Sequence, residues 1–219
     1  SGNNLFAGTW NPGVFVSSDN GDSWTEKSSG LSQSANKVIF SLAINGNNIF
    51  AGTRNGVFIS TNNGEEWEWS SEGITGKEIN SLVVDYNNIF AGTDNGVFLS
   101  TNNGLTWTGK NAGLTNKIIK SIAISGNNIF VGTSVGNILL STDLGDSWAE
   151  KDLGISVTSV RSLATRDNNI FASTSAGVIL STDNGDSWAE KNIGLPNNGA
   201  GKLAINGNYI YAGTSGNGV

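Results

Sequence analysis

The chain has no cysteine and no histidine. Without cysteine there is no disulfide framework and no thiolate to hold a metal. Without histidine the commonest general base and the commonest transition-metal ligand are both missing. No apolar run approaches the ~20 residues of a membrane-spanning helix, so membrane insertion is not expected. Methionine is absent and no secretory leader is present, so the chain reads as part of something longer, and its ends indicate no compartment. Only 2 prolines stand against 30 glycines, which together with abundant Asn, Ser and Thr means many tight turns. A net charge of −6 argues against nucleic acid or an anionic membrane surface as the main partner.

What the chain does contain is a repeat. Ser17–Trp24 reads S-S-D-N-G-D-S-W, and the pattern returns at Ser60–Trp67, Ser100–Trp107, Ser141–Trp148 and Ser181–Trp188. The tryptophans lie 43, 40, 41 and 40 residues apart, so residues 1–219 read as one array of a small unit. Short runs rich in β-branched and aromatic residues between Gly/Asn turns read as strands, and no window has a sustained helical period. Each unit gives four strands. The A strands are Phe40–Ile44, Asn80–Val84, Lys120–Ile124, Arg161–Thr165 and Gly201–Ile205. B strands include Ile49–Thr53 and Ile89–Thr93, C strands Val14–Ser17 and Val57–Ser60, and D strands Trp24–Lys27 and Trp148–Lys151.

Strands A, B and C are apolar at successive positions, so both faces of each sheet must be covered, as they are when sheets stack radially. The expected fold is all-β: a five-bladed β-propeller of four-stranded antiparallel blades. Ala-Gly pairs in the B strands fit near the centre, and the charged D strands fit the rim. The chain has five tryptophan motifs and five A strands but six B-type segments. The ring is expected to close when the last A strand, Lys202–Ile205, completes the blade begun by residues 3–27. An incomplete six-bladed ring is the alternative. Residues 206–219 are then a surplus copy of 3–14. A monomer is expected, with strand exchange between molecules through the duplicated segment as a further option.

The motif S-x-D-x-G-x-[ST]-W resembles the Asp-box, or BNR repeat, of sialidases, sortilin-type receptors and repeat-rich secreted bacterial propellers. In that family it forms the turn between the third and fourth strands, and the resemblance implies a secreted or cell-surface protein. The residues concerned are Asp19, Gly21 and Trp24; Asn62, Gly64 and Trp67; Asn102, Gly104 and Trp107; Asp143, Gly145 and Trp148; and Asp183, Gly185 and Trp188. An Asp or Asn side chain accepts backbone N–H groups in its own turn, Gly supplies positive φ, and Trp buries a large ring. Calcium is the competing reading of these acids. The spacing lacks the later bidentate Glu, and Asn62 and Asn102 replace Asp in two copies, so a structural role is expected and no metal.

The copies differ most in the B–C loops, at Trp10, Arg54 and Asp94, and at the residue opening strand A, which is Phe40, Asn80, Lys120, Arg161 or Gly201. Propeller topology puts both regions at one face, away from the uniform Asp-box turns. Trp10, Arg54, Asp94, Phe40, Asn80, Lys120 and Arg161 are therefore the ligand-binding candidates. The resemblance also raises a sialidase-like hydrolase, which would need three converging arginines. Arg54 and Arg161 fall at the loop face but Arg166 lies about five residues further along, or ~16 Å. No paired carboxylates with an activating neighbour are evident. The expectation is a non-catalytic module without cofactor that binds glycan or protein. A purely structural repeat and a sialidase-like hydrolase are the alternatives.

Overall fold

The computed structural model describes residues 4–31, 34–195 and 200–214, which are all-β apart from one 3-10 turn at Ser34–Lys37. The first sheet is β1 (Leu5–Gly8), β2 (Val14–Ser17) and β3 (Thr25–Glu26). The second is β4 (Ile39–Asn45), β5 (Asn48–Thr53), β6 (Val57–Ser60) and β7 (Glu68–Trp69). The third is β8 (Ile79–Asp85), β9 (Asn88–Thr93), β10 (Gly96–Ser100) and β11 (Thr108–Gly109). The fourth is β12 (Ile119–Ser125), β13 (Asn128–Thr133), β14 (Ile138–Ser141) and β15 (Ala149–Lys151). The fifth is β16 (Val160–Arg166), β17 (Asn169–Thr174), β18 (Gly177–Ser181) and β19 (Ala189–Glu190), and the sixth is β20 (Ala200–Asn206) with β21 (Tyr209–Thr214). The strands within each sheet follow chain order, so every sheet is an antiparallel meander.

The A–B hairpins turn on a residue of positive φ: Gly46, Tyr86, Gly126, Asp167 and Gly207. Such turns follow the right-handed twist of the strands they join. One expectation fails here. The last A strand, β20, was expected to join β1 and pairs instead with β21, with Ile205 opposite Ile210 and Asn206 opposite Tyr209. Asn206–Tyr209 carries the same short turn as the other units, so this local pairing closes a minimal loop, whereas β1 lies almost the whole chain away. Of the surplus segment 206–219, Tyr209–Thr214 forms β21, and residues 215–219 lie outside the described residues.

The chain divides into two compact units, residues 1–94 with 98–109, and 95–97 with 110–219. In the first, Val14, Leu31, Ile39, Ile49, Ala51, Phe58 and Trp67 form one core cluster. Phe50, Val57, Ile74, Ile79, Leu82, Ile89, Phe98 and Trp107 form another. In the second, Phe130, Ile138, Val160, Leu163, Ile170, Ala172 and Ile179 cluster in the same way. Consecutive residues of one strand, such as Ile49, Phe50 and Ala51, are thus buried on opposite faces, as the unbroken apolar runs require. Each fully buried Ile or Phe contributes about 2 kcal/mol.

Two devices lock neighbouring sheets. A B-strand glycine receives the first A-strand side chain of the next sheet: a Cβ on Gly8, Gly52 or Gly132 would lie 2.5, 2.7 or 2.4 Å from Ile39, Ile79 or Val160. An A-strand serine then accepts a backbone N–H from the next A strand. Leu82 N donates to Ser41 Oγ at 2.9 Å, Leu163 N to Ser121 Oγ at 2.9 Å and Leu203 N to Ser162 Oγ at 3.1 Å.

Candidate binding face

Strand C separates the two ends of each of the first five sheets. The eight-residue turn follows it, and the B–C loop precedes it. In the first turn Asp19 Oδ1 accepts from Ser17 Oγ at 2.7 Å and from Ser23 N at 2.9 Å, while Oδ2 accepts from Ser23 Oγ at 2.5 Å. Asn20 takes a φ of 59° and Gly21 one of 100°. Asp143 and Asp183 repeat this set. Asn62 and Asn102 keep the Oδ1 half of it, accepting from Ser60 Oγ and Glu66 N and from Ser100 Oγ and Thr106 N. The hydrogen bonds from Ser23, Ser147 and Ser187 hold Asp19, Asp143 and Asp183 well below the usual carboxylate range, at about 2. Their oxygens are engaged inside the turn.

At the other end, in the first unit, the loop candidates come together. Trp10 stands 76% exposed, its ring edge-on to Phe40 with centroids 6.5 Å apart. Arg54 lies over the Phe40 ring at 6.0 Å and reaches Glu78 with Nε 3.7 Å from Oε2. Glu78 N donates to Asp94 Oδ1 at 3.2 Å, which fixes the next B–C loop. Trp10, Phe40, Arg54, Glu78 and Asp94 thus form a continuous row over three sheets. The sequence reading missed Glu78. It lies just before β8, two residues ahead of the variable position Asn80.

The residues opening strand A share a feature that the sequence concealed. Phe40, Asn80, Lys120 and Arg161 are each skipped in the pairing of A with B: Ile39 pairs Thr53 and Ser41 pairs Gly52, and the other three sheets do the same. They are β-bulge residues, a device that takes a side chain out of the alternating pattern and re-aims it. In β20 the skip covers both Gly201 and Lys202, since Ala200 pairs Thr214 and Leu203 pairs Ala212.

A pocket of about 520 Å³ opens in the second unit, between the B–C loop Val135–Asn137 and the D–A segment Glu150–Val157. Its origin is a broken repeat. Trp67 N donates to Ser29 O at 2.9 Å, Trp107 N to Glu72 O at 2.8 Å and Trp148 N to Ala112 O at 3.0 Å. The glycines that follow those carbonyls, Gly30, Gly73 and Gly113, press against the same tryptophan backbones, where a Cβ would meet the carbonyl oxygen at 2.0, 2.2 and 2.4 Å. Among the described residues Trp188 makes no such bond to Leu153, and Gly154 faces open space. The released segment leaves the pocket, with Glu150 held at its edge by Asn137 and Thr115.

Arg161 and Arg166 sit at opposite ends of β16. Arg161 donates to Ala200 O at 3.3 Å and Arg166 to Asn208 O at 2.9 Å in the A–B turn of the sixth sheet. The two cannot meet on one carboxylate.

No protein-family model and no curated protein matches the chain. Solved structures do. The extracellular domain of the hybrid two-component system BT3049 of B. thetaiotaomicron superposes with a TM-score of 0.78 at 18% identity, over 97% of this chain and 30% of that one. An ancestral GH74 enzyme gives 0.73 at 20% identity, over 92% of this chain and 31% of that one. YCF48 bound to D1 peptide gives 0.71 at 15% identity, over 95% and 71%. The fold is that of the β-propellers. The chain spans less than a third of the two-component extracellular domain and of the GH74 enzyme.

Proposed function

We propose that the chain is a non-catalytic interaction module of the Asp-box propeller type, and that it recognises glycan or protein through the loop end of its sheets. One observation carries the reading. Trp10 is exposed yet held by Phe40, beside an Arg54 tethered to Glu78 on the next sheet. An oriented aromatic plate next to a planar cation and a carboxylate suits stacking on a sugar or peptide with hydrogen bonds at its rim. The pocket beside Gly154 has a volume in the ordinary range for a ligand site. Among proteins of this fold, YCF48 holds a peptide, and the two-component system carries the fold in its extracellular domain. A secreted or cell-surface setting is part of the proposal.

The test is a glycan array and a peptide array, followed by titration calorimetry on any hit. Trp10→Ala and Arg54→Ala should each weaken binding by about tenfold or more, as truncating an anchor does, without lowering the melting temperature. Silence of both arrays at high micromolar concentration, or a hit indifferent to both changes, overturns the reading.

A further inference from the structure

Four of the five D–A segments are fastened to their own sheet in one way. The side chains of Ser28, Ser71, Asn111 and Asn192 accept the N–H that opens strand C, from Val14 at 3.1 Å, Val57 at 2.7 Å, Val97 at 2.9 Å and Val178 at 2.8 Å. Their carbonyls close a turn, accepting from Leu31, Ile74, Leu114 and Leu195 N at 3.0 to 3.2 Å. The glycine before strand C packs on the same latch, since a Cβ on Gly13, Gly56, Gly96 or Gly177 would lie 2.5 Å or less from its side chain. The fourth segment, residues 152–155, lets go at all three points. Asp152 Oδ1 accepts from Gly154 N at 2.9 Å instead. Among the described residues Ile155 N makes no turn bond to Asp152 O. Gly136 backs onto Val157, whose carbonyl oxygen a Cβ would meet at 2.2 Å. The space so released is the pocket of about 520 Å³.

The pocket offers three kinds of group. Among the described residues the backbone of Ile155, Ser156 and Val157 has no hydrogen-bond partner, although it lines the cavity. Backbone N–H and C=O groups demand partners, and in the free chain that partner is water, which a ligand with its own donors and acceptors replaces. Val135, Ile155 and Val157 add apolar surface. Glu150 and Asp152 add two carboxylates. Glu150 is held only by the neutral donors Asn137 Nδ2 and Thr115 Oγ1, and Asp152 by a backbone N–H. Lys151, between them in sequence, is drawn off to Asp186 at 2.6 Å. Among the described residues neither carboxylate has a cation in ion-pair range.

We propose that this pocket binds a peptide through one basic side chain, an arginine or lysine. The aliphatic stem lies along Val135, Ile155 and Val157, the charged tip meets Glu150 and Asp152, and the flanking peptide backbone pairs with residues 155–157. A stem that is apolar with a charged tip matches a wall that is apolar with an acidic rim. An extended peptide also brings the alternating donors and acceptors that an unpaired backbone takes. A glycan is disfavoured because no aromatic side chain lines the pocket to stack on a sugar ring. The proposal rests on the loop-end reading and adds to it a site that shares no residue with Trp10 and Arg54.

The experiment uses the whole chain and a short labelled peptide of alanine and serine with one central arginine. The same peptide with central glutamine is the control, and an oligosaccharide of amino sugars forms the second arm. The arginine peptide should bind more weakly as salt rises. Glu150→Gln and Asp152→Asn should each reduce its affinity roughly fivefold, the scale of an exposed ion pair, and the exposed Glu26→Gln should leave it unchanged. N-methylation of the residues flanking the arginine should weaken binding further, which a purely electrostatic contact would not. Should a neutral variant melt early, Asp152→Glu keeps the charge and is expected to keep binding. No binding of the arginine peptide at low salt, an equal loss with Glu26→Gln, or preference for the oligosaccharide overturns the proposal. An array ligand that depends on Trp10, found beside a silent arginine peptide, overturns this inference alone. An arginine peptide that Asp152→Asn releases and Trp10→Ala does not upholds it, whatever becomes of the Trp10 site.

Discussion

Ser173 and Ala200 exchange bulk across the contact between the fifth and sixth sheets. At the equivalent contacts a glycine faces a branched side chain: Gly8 with Ile39, Gly52 with Ile79 and Gly132 with Val160. Here the B strand has gained a hydroxymethyl and the A strand has lost most of a side chain, and Ser173 Oγ donates to Ala200 O. The two positions are 27 residues apart in sequence and change together.

Restoring only one of them should therefore fail. Ala200→Ile forces a branched side chain onto Ser173 and should cost about 1–3 kcal/mol, the usual range for overpacking. Ser173→Gly in the same chain should recover most of that loss. Chemical denaturation of both single variants and the double variant measures the coupling. Strictly additive effects would show that the two side chains do not share the contact.

The turn tryptophans divide by what their indoles reach. Trp67 is 2% exposed, and its Nε1 donates to Lys27 O of the preceding sheet at 2.8 Å; Trp107 does the same to Ser70 O at 2.9 Å. Trp24 is 43% exposed and donates to Gly21 O in its own turn at 3.1 Å. Trp67→Phe removes a buried donor and strands a carbonyl, so it should cost about 1–3 kcal/mol beyond the lost ring volume. Trp24→Phe, at a wet site, should cost less than about 1 kcal/mol. Melting curves at neutral pH decide it, and equal losses would mean that the inter-sheet bond contributes nothing.

Much of this architecture could be read in advance because a repeated chain supplies its own controls. The C strand Val57–Ser60 falls where the apolar run and the following turn place it, and the A strand opening at Phe40 is observed from Ile39 to Asn45. The bulge at Phe40 was hidden because a run apolar on both faces has no alternation for a skipped residue to disturb. Other pairs were present in the letters and passed unread. Lys27, Lys110 and Lys151 each bond the acid that follows the turn glycine in the next sheet, at Glu65, Asp146 and Asp186. Where that acid becomes Leu105, the lysine becomes Ser70, which bonds Gly104 O at 2.6 Å instead. The partner of β20 was misjudged for a different reason, since counting segments says nothing about the entropy of closing one loop rather than another. On the loop face, composition indicated Trp10 and Arg54, but the link through Glu78 depends on the approach of two sheets and has no local signature.

The turn carboxylates make a prediction whose control is built into the chain. Asp19, Asp143 and Asp183 titrate near 2 in the folded protein against an ordinary 3.8, because Ser23, Ser147 and Ser187 donate to the charged form. A lowered folded value means that the unfolded chain takes up its protons first as pH falls. The contribution of these turns is fully present above about 3.8 and is lost as pH falls towards about 2. Asn62 and Asn102 accept the same backbone N–H without a charge, so their turns should not respond to acid over that interval. Replacing all three aspartates with asparagine should keep most of the neutral-pH stability and flatten the fall in melting temperature between about pH 4 and pH 2. Melting curves at half-unit steps of pH, for the natural chain and the triple variant, provide the comparison. The same slope in both would mean that the acid sensitivity of the fold resides in other carboxylates, and that these turns hold their shape whether the aspartates are charged or neutral.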